Sequence, residues 1–361
     1  MSVSQDEAPW REPIHARYPD SALLGLPGVD QMRAHLDGRA PKPPIHYLTG
    51  MEPTEVGLGT SAFSMPATRW LLSPQGLISV GTLAILADGP LGCAIQSALP
   101  PLTAYATSEL SLRVLRPAGA NGSLIARGSL VNAGRSIGLS SVQIFDGDGH
   151  LLADGSSLCF IRSLPTEAGR QAPAAPSAAP DSEPEPPRLF ERPALGEIVG
   201  QDVWDRMSGL EVFESQLAGE LPKPPIHYLT GAGPVEVAAG EAVFTMPCHE
   251  WLCSPLGTVE GGSIAMLADH ALSSAIQTIL PAGAALAAID LKVNFLRPVA
   301  PDRRELLSRG RVRHAGRTIA VAEAEVVNAD EKTVALATGS AMVLTDRPAT
   351  LRHLDQDPPS P

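Results

Sequence analysis

Residues 42–117 realign with residues 223–298 at one fixed offset and without a gap, and this near-repetition constrains the fold more than any other feature of the chain. Both copies open on the same nine letters, KPPIHYLTG, and about half of the remaining window is identical. A one-residue slip enters only later, before the paired segments Ala133-Gly134-Arg135-Ser136-Ile137 and Ala315-Gly316-Arg317-Thr318-Ile319. The period far exceeds the roughly 20–50 residues of a solenoid unit, so each copy is expected to be a whole domain with its own core. The expected division is an N-terminal domain over 20–162, a Pro/Ala-rich linker over 163–197 and a C-terminal domain over 198–348. The linker opens SLPTEAGRQAPAAPSAAPDSEPEPP, which offers almost nothing to bury.

Each copy reads in the same order. A short amphipathic helix prefaces the domain, with Gly28, Val29, Met32 and Leu36, or Gly209, Leu210, Phe213 and Leu217, on one face. A Pro-rich passage ends it. Residues 55–65 and 236–246 read as one loosely alternating strand each. Residues 81–99 and 262–280 are apolar on all sides and read as a helix buried in the middle of its domain. Alternating stretches at 108–115, 123–131, 137–145 and 151–161 suit antiparallel strands. A long helix followed by four strands predicts an α+β arrangement in which a curved sheet wraps the helix.

Bulk properties exclude several functions. A net charge of −12 opposes a nucleic-acid or anionic-membrane partner, since both require a basic field. The four cysteines show no repeated spacing, which argues against a disulfide framework or a metal site and fits a reducing cytoplasm. Cys248-His249 with Cys253 is too small a soft-ligand set for zinc. The opening MSVSQDEAPWREP has no apolar stretch and gives no sign of secretion. Residues 77–99 are apolar enough to raise the question of a membrane span, but Asp88, Gly89 and Pro90 at their centre favour a core helix.

Between Gly76 and Pro100 the only charged residue is Asp88, and Asp269 occupies the same place in the second copy. A carboxylate in an apolar helix costs several kcal/mol unless something pairs with it or uses it. A structural, N–H-bonded Asp is one reading. A desolvated general base is the other. The helix starts, Val80-Gly81 and Gly261-Gly262, place unpartnered N–H groups at a positive dipole end, suited to a carbonyl gaining charge. Glycines placed for close helix packing explain them equally well. Eight residues of helix separate start from Asp, about 12 Å, too far for one reacting group. Two such helices lying antiparallel would place the start of each beside the Asp of the other. The composite sites would then be Gly261 and Gly262 with Asp88, and Val80 and Gly81 with Asp269.

The run from Ser254 to Asp269 (SPLGTVEGGSIAMLAD), followed by DLKVNFLRP at 290–298 and His314-Ala-Gly-Arg317, resembles the PaaI-type acyl-CoA thioesterases of the hotdog superfamily. The resemblance covers nearly all of both domains. It implies a tandem hotdog fold working as an intramolecular pseudo-dimer, able to pair further into a dimer of chains, with thioester hydrolysis at the domain interface. It also implies an acyl-CoA substrate, no cofactor beyond it and no metal. Asp88 and Asp269 would activate water or attack directly, while amides from a His-Gly-Gly helix start polarise the carbonyl. This chain departs from that pattern: Glu260 and Ser79 replace the His, Ser73 and Ser254 replace an Asn, and Val80 replaces a Gly. Pro90 removes a helical hydrogen bond just after Asp88. Thr107 and Ser108 can orient a water where Ala288 and Ile289 cannot, so the two sites should be unequal. Arg135, Arg317, Arg116 and Arg297 are candidates for the coenzyme A phosphates, which their forked donors suit. His270, next to Asp269, reads as an ordinary polar residue near the helix surface. The rival function is a non-catalytic acyl-CoA or acyl-lipid binding protein; a hotdog hydratase is weaker, since only His270 could supply its histidine.

Overall fold

The computed structural model describes residues 8–14, 17–164, 186–345 and 348–349. The first copy runs α1 Gly28–Leu36, α2 Pro44–Thr49, β1 Glu52–Gly57, β2 Thr60–Pro66, α3 Val80–Ser97, β3 Thr103–Val114, β4 Ser123–Ala133, β5 Ile137–Asp146 and β6 Leu151–Ser163. The second adds a short α4 Gln201–Trp204 and then repeats the order as α5 Gly209–Leu217, α6 Pro225–Thr230, β7 Gly233–Ala238, β8 Glu241–Pro247, α7 Gly261–Thr278, β9 Ala285–Phe295, β10 Glu305–Ala315, β11 Ile319–Val327 and β12 Thr333–Leu344.

Residues 55–65 and 236–246 are not single strands. Gly59 at φ 73° and Gly240 at φ 80° adopt the left-handed backbone of a tight turn, which folds each stretch into a hairpin. The preface helices form where the apolar spacing predicts, but Leu36 and Leu217 stay exposed. Their buried faces are Gly28, Gln31 and Ala34, and Gly209, Val212, Phe213 and Gln216. The reason is the close approach at the leading glycine: a methyl at Gly28 would lie 1.7 Å from Gln96 O, and one at Gly209 would lie 1.8 Å from Gln277 O.

All twelve strands join one antiparallel sheet in the order β1-β2-β4-β5-β6-β3-β9-β12-β11-β10-β8-β7. The two copies meet where β3 pairs with β9, from Glu109 opposite Asn294 to Arg113 opposite Asp290. That register is symmetric under exchange of the copies. Each half-sheet wraps its own helix, α3 or α7, and the helices pack on each other in a shared apolar core. The fold is therefore α+β, a tandem hotdog.

The inter-copy contacts explain the nine-letter identity. α2 docks on the second copy, Ile45 N donating to Cys253 O at 3.3 Å, and α6 docks on the first, Ile226 N donating to Leu72 O at 3.4 Å. The same helix meets the same partner twice. The segments ahead of each copy cross over as well. Trp10 stacks on His249 with ring centres 5.1 Å apart, and Trp251 Nε1 donates to Glu12 O at 2.8 Å. In mirror fashion, Leu189 is fully buried and Trp70 Nε1 donates to Arg192 O at 2.9 Å. Glu12 and Arg192 are matching positions in the short motifs WREP and FERP, and they pair with each other. The linker expected over 163–197 thus ends early, because residues 190–192 pack against the first copy and Glu197 N donates to Lys223 O of the second at 3.0 Å; residues 165–185 lie outside the described residues.

Candidate functional site

The two central helices lie antiparallel and touch at their glycines. A methyl at Gly81 would lie 2.7 Å from Met266 Cα, and one at Gly262 would lie 2.5 Å from Ile85 Cα. The same approach brings each helix start onto the acid of the other helix. Gly81 N donates to Asp269 Oδ2 at 3.0 Å, and Gly262 N donates to Asp88 Oδ2 at 3.1 Å. The two readings of the glycines are thus one arrangement. The amides are not free, however: each positive helix end already holds the nearest carboxylate.

The pair is unequal. Asp88 keeps some solvent access, and burial pushes its carboxyl up to about 6 against N–H donors from Gly262 and Gly261 and the hydroxyl of Thr107. A β-bulge at Ser108, between Thr107 and Glu109, places Thr107 there. Leu110 and Leu112 face the core beyond the bulge, and the extra residue switches the inward set to Tyr105 and Thr107 before it. The Tyr105 hydroxyl sits where Gly92 has no side chain, since a methyl there would lie 2.0 Å away. Burial raises the Cys93 thiol to about 12 and Tyr105 well above its ordinary range, with Asp88 and Glu260 charges adding to both.

Glu260 stands immediately before the two glycines at the N-cap of α7 but makes no capping bond. It is 7% exposed, its Oε2 has no hydrogen-bond partner among the described residues, and burial followed by the Asp88 charge lifts its carboxyl well above the usual range. Both effects favour its neutral acid form over a repelling anion. The sequence signal was a lone Glu ahead of Gly-Gly; its protonation needed the burial.

At the other acid, Asp269 is 2% exposed and both its oxygens are taken, Oδ2 by Gly81 and Oδ1 by the Ser273 hydroxyl at 2.8 Å. Ser273 stands in the place of Gly92, Leu286 in that of Tyr105, and Ala288 in that of Thr107. Val80 begins α3 fully buried, and Gly81 supplies the backbone donor.

Most other residues singled out in the sequence lie on turns and strand ends. Ser73 and Ser254 sit in the turns ahead of the helices, where Ser254 Oγ accepts from Leu256 N at 3.3 Å. The Ser108 hydroxyl is drawn away by the bulge to Leu158 O. Arg116 and Arg297 each donate to a strand-end carbonyl, Leu151 O at 3.0 Å and Thr333 O respectively, whereas Arg135 and Arg317 are exposed on hairpin turns. His270 is not at the helix surface: it is buried with its ring centre 5.7 Å from His227 and 5.8 Å from Phe244. His249 bonds Thr230 O at 2.9 Å, and among the described residues Cys248, His249 and Cys253 do not form a converging ligand cluster. A cavity lined by Gln216, Leu217, Lys223, His227 and Pro234 holds neither carboxylate.

Residues 256–335 match the family profile of the thioesterase superfamily, and residues 32–161 match that of the acyl-CoA thioesterase C-terminal domain. A Halobacterium salinarum protein that carries an esterase assignment is 35% identical over 127 residues, which are 32% of this chain and 82% of that protein. Among solved structures, acyl-CoA thioesterase II TesB2 from Mycobacterium marinum aligns over 83% of this chain and 97% of its own at 13% identity, with a TM-score of 0.49. The E. coli PaaI protein from the phenylacetic acid degradation operon aligns over 37% of this chain and 92% of its own at 26% identity, with a TM-score of 0.33.

Proposed function

The chain belongs to the thioesterase superfamily, and from that premise we propose that it hydrolyses an acyl-CoA thioester where the start of α7 meets Asp88 of α3. The observation that carries this is the contact between Gly262 N and Asp88 Oδ2, which holds a partly solvated carboxylate beside Thr107 at the junction of the copies. With its carboxyl pushed up to about 6, Asp88 is ionised at neutral pH yet basic enough to take a proton. A water oriented by Thr107 gives its proton to Asp88, and the resulting hydroxide adds to the thioester carbon. The C–S bond then breaks, and the coenzyme A thiolate leaves with the proton that Asp88 returns. The products are a carboxylic acid and free coenzyme A.

Asp269 has no such freedom, with both oxygens bound and no hydroxyl at Ala288. We assign turnover to the Asp88 side. The motif of residues 254–269, with its counterpart at 73–88, supports a PaaI-type reading within that superfamily. Arg135 and Arg317, on exposed turns, suit the coenzyme A phosphates better than Arg116 and Arg297, each of which has a donor committed. One chain supplies both partners of the site, so a second chain is not required. No described helix is long and apolar enough to cross a membrane, and an acyl-CoA substrate together with four free thiols supports a cytoplasmic setting. Thiol release from a panel of aliphatic and aromatic acyl-CoAs tests the reading. Tight binding by calorimetry with no thiol released from any of them would instead establish the non-catalytic binder.

A further inference from the structure

A thioester bound at this site needs a hydrogen-bond donor for its carbonyl oxygen. The backbone groups expected to serve, Gly261 and Gly262, both point at Asp88. We propose that Glu260, in its neutral acid form, donates a hydrogen bond from its orphaned carboxyl group to the thioester carbonyl oxygen and strengthens it as charge develops there. This rests on the thioesterase reading of the Asp88 site.

Three observations point the same way. Glu260 immediately precedes the glycines that hold the base, so its carboxyl belongs to the same helix end. It is 7% exposed, and Oε2 finds no partner among the described residues, an expensive state for a buried polar atom unless a ligand satisfies it. Burial, then the Asp88 charge, favours its protonated form, and the titratable groups facing it are Asp88 and Cys93 from α3, Tyr105 from β3, and Cys253 from the turn ahead of α7. None is a cation, and ionised Asp88 opposes a second negative charge. The matching position in the first copy is Ser79, whose hydroxyl instead accepts from Thr82 N at 3.2 Å and caps α3. Only the Asp88 side therefore carries an uncommitted acid. The proton stays on Glu260 throughout; hydrogen-bond donation, not transfer, stabilises the oxyanion.

The test is the pH dependence of kcat for the full chain with Glu260→Gln and Glu260→Ala, using an acyl-CoA that the native protein turns over. Native kcat should rise as Asp88 ionises and fall in alkali as Glu260 loses its proton. Glu260→Ala should lose about 10²–10³-fold in kcat, the usual cost of one oxyanion donor. Glu260→Gln, whose amide is a donor that cannot ionise, should recover most of that loss and show no alkaline fall. A Gln variant that keeps the alkaline fall, or an Ala variant with native kcat, overturns the proposal. Absence of any turnover by the native protein would instead defeat the thioesterase reading.

Discussion

Replacing Asp88 with Asn should make the protein more stable and less active at once. Burial raises the folded-state carboxyl from 3.8 to about 6, so the native structure holds the proton more tightly than the unfolded chain does. The sign follows from that difference. The stability linked to this acid is complete below about 3.8, declines as pH rises towards 6, and is wholly lost at neutral pH. The shift corresponds to about 3 kcal/mol. Asn carries no charge and keeps an acceptor for Gly262 N–H, so it escapes the desolvation cost. Denaturant unfolding of both proteins at pH 7.5, 5 and 4 should show Asp88→Asn more stable by up to about 3 kcal/mol at the highest pH, with the gap shrinking to near zero at the lowest. A variant that is less stable at pH 7.5, or a gap that ignores pH, would refute the burial-raised carboxyl on which the mechanism relies.

Two further perturbations test the packing. Gly262→Ala would drive a methyl to within 2.5 Å of both Ala84 O and Ile85 Cα, backbone atoms that cannot swing aside; a loss of at least about 2 kcal/mol is expected in denaturant unfolding, and an unchanged midpoint would contradict the helix contact. His46 and His249 are held down to about 3 and about 4 by burial, and His227 and His270 are lowered for the same reason. Their contribution is full above the unfolded value near 6.5 and is lost as pH falls, by about 1.4 kcal/mol per pH unit each at His46 and His249, with His227 and His270 acting in the same direction. Asp88 and Glu260 act in the opposite sense, but four histidines outweigh two acids, so stability should drop steeply from pH 6.5 to 5; a flat profile would contradict their burial.

Much of this was legible in the repeat. Identity at 42–50 and 223–231 marked two copies, and the lone acids Asp88 and Asp269 with the glycine-led helix starts foretold an antiparallel pairing. The hairpins were hidden because Leu58-Gly59 and Ala239-Gly240 interrupt an alternation only by backbone handedness. The crossed segments were hidden because WREP and FERP share little identity; what they have in common is the backbone carbonyl that each offers to a tryptophan of the other copy. The Ser108 bulge reverses side-chain parity within β3, so Tyr105 could not be placed in the site by alternation. The favoured protonation state of Glu260 was not legible either, since a side chain's charge depends on its surroundings and the sequence does not show its burial.

The sharpest measurement compares thiol release from one acyl-CoA by the native chain, Asp88→Asn and Asp269→Asn. General-base loss at Asp88 should lower kcat by about 10²–10⁴-fold, with a much smaller effect at the enclosed Asp269. Full activity in the Asp88 variant, or equal losses in both, would contradict a single working site at the start of α7.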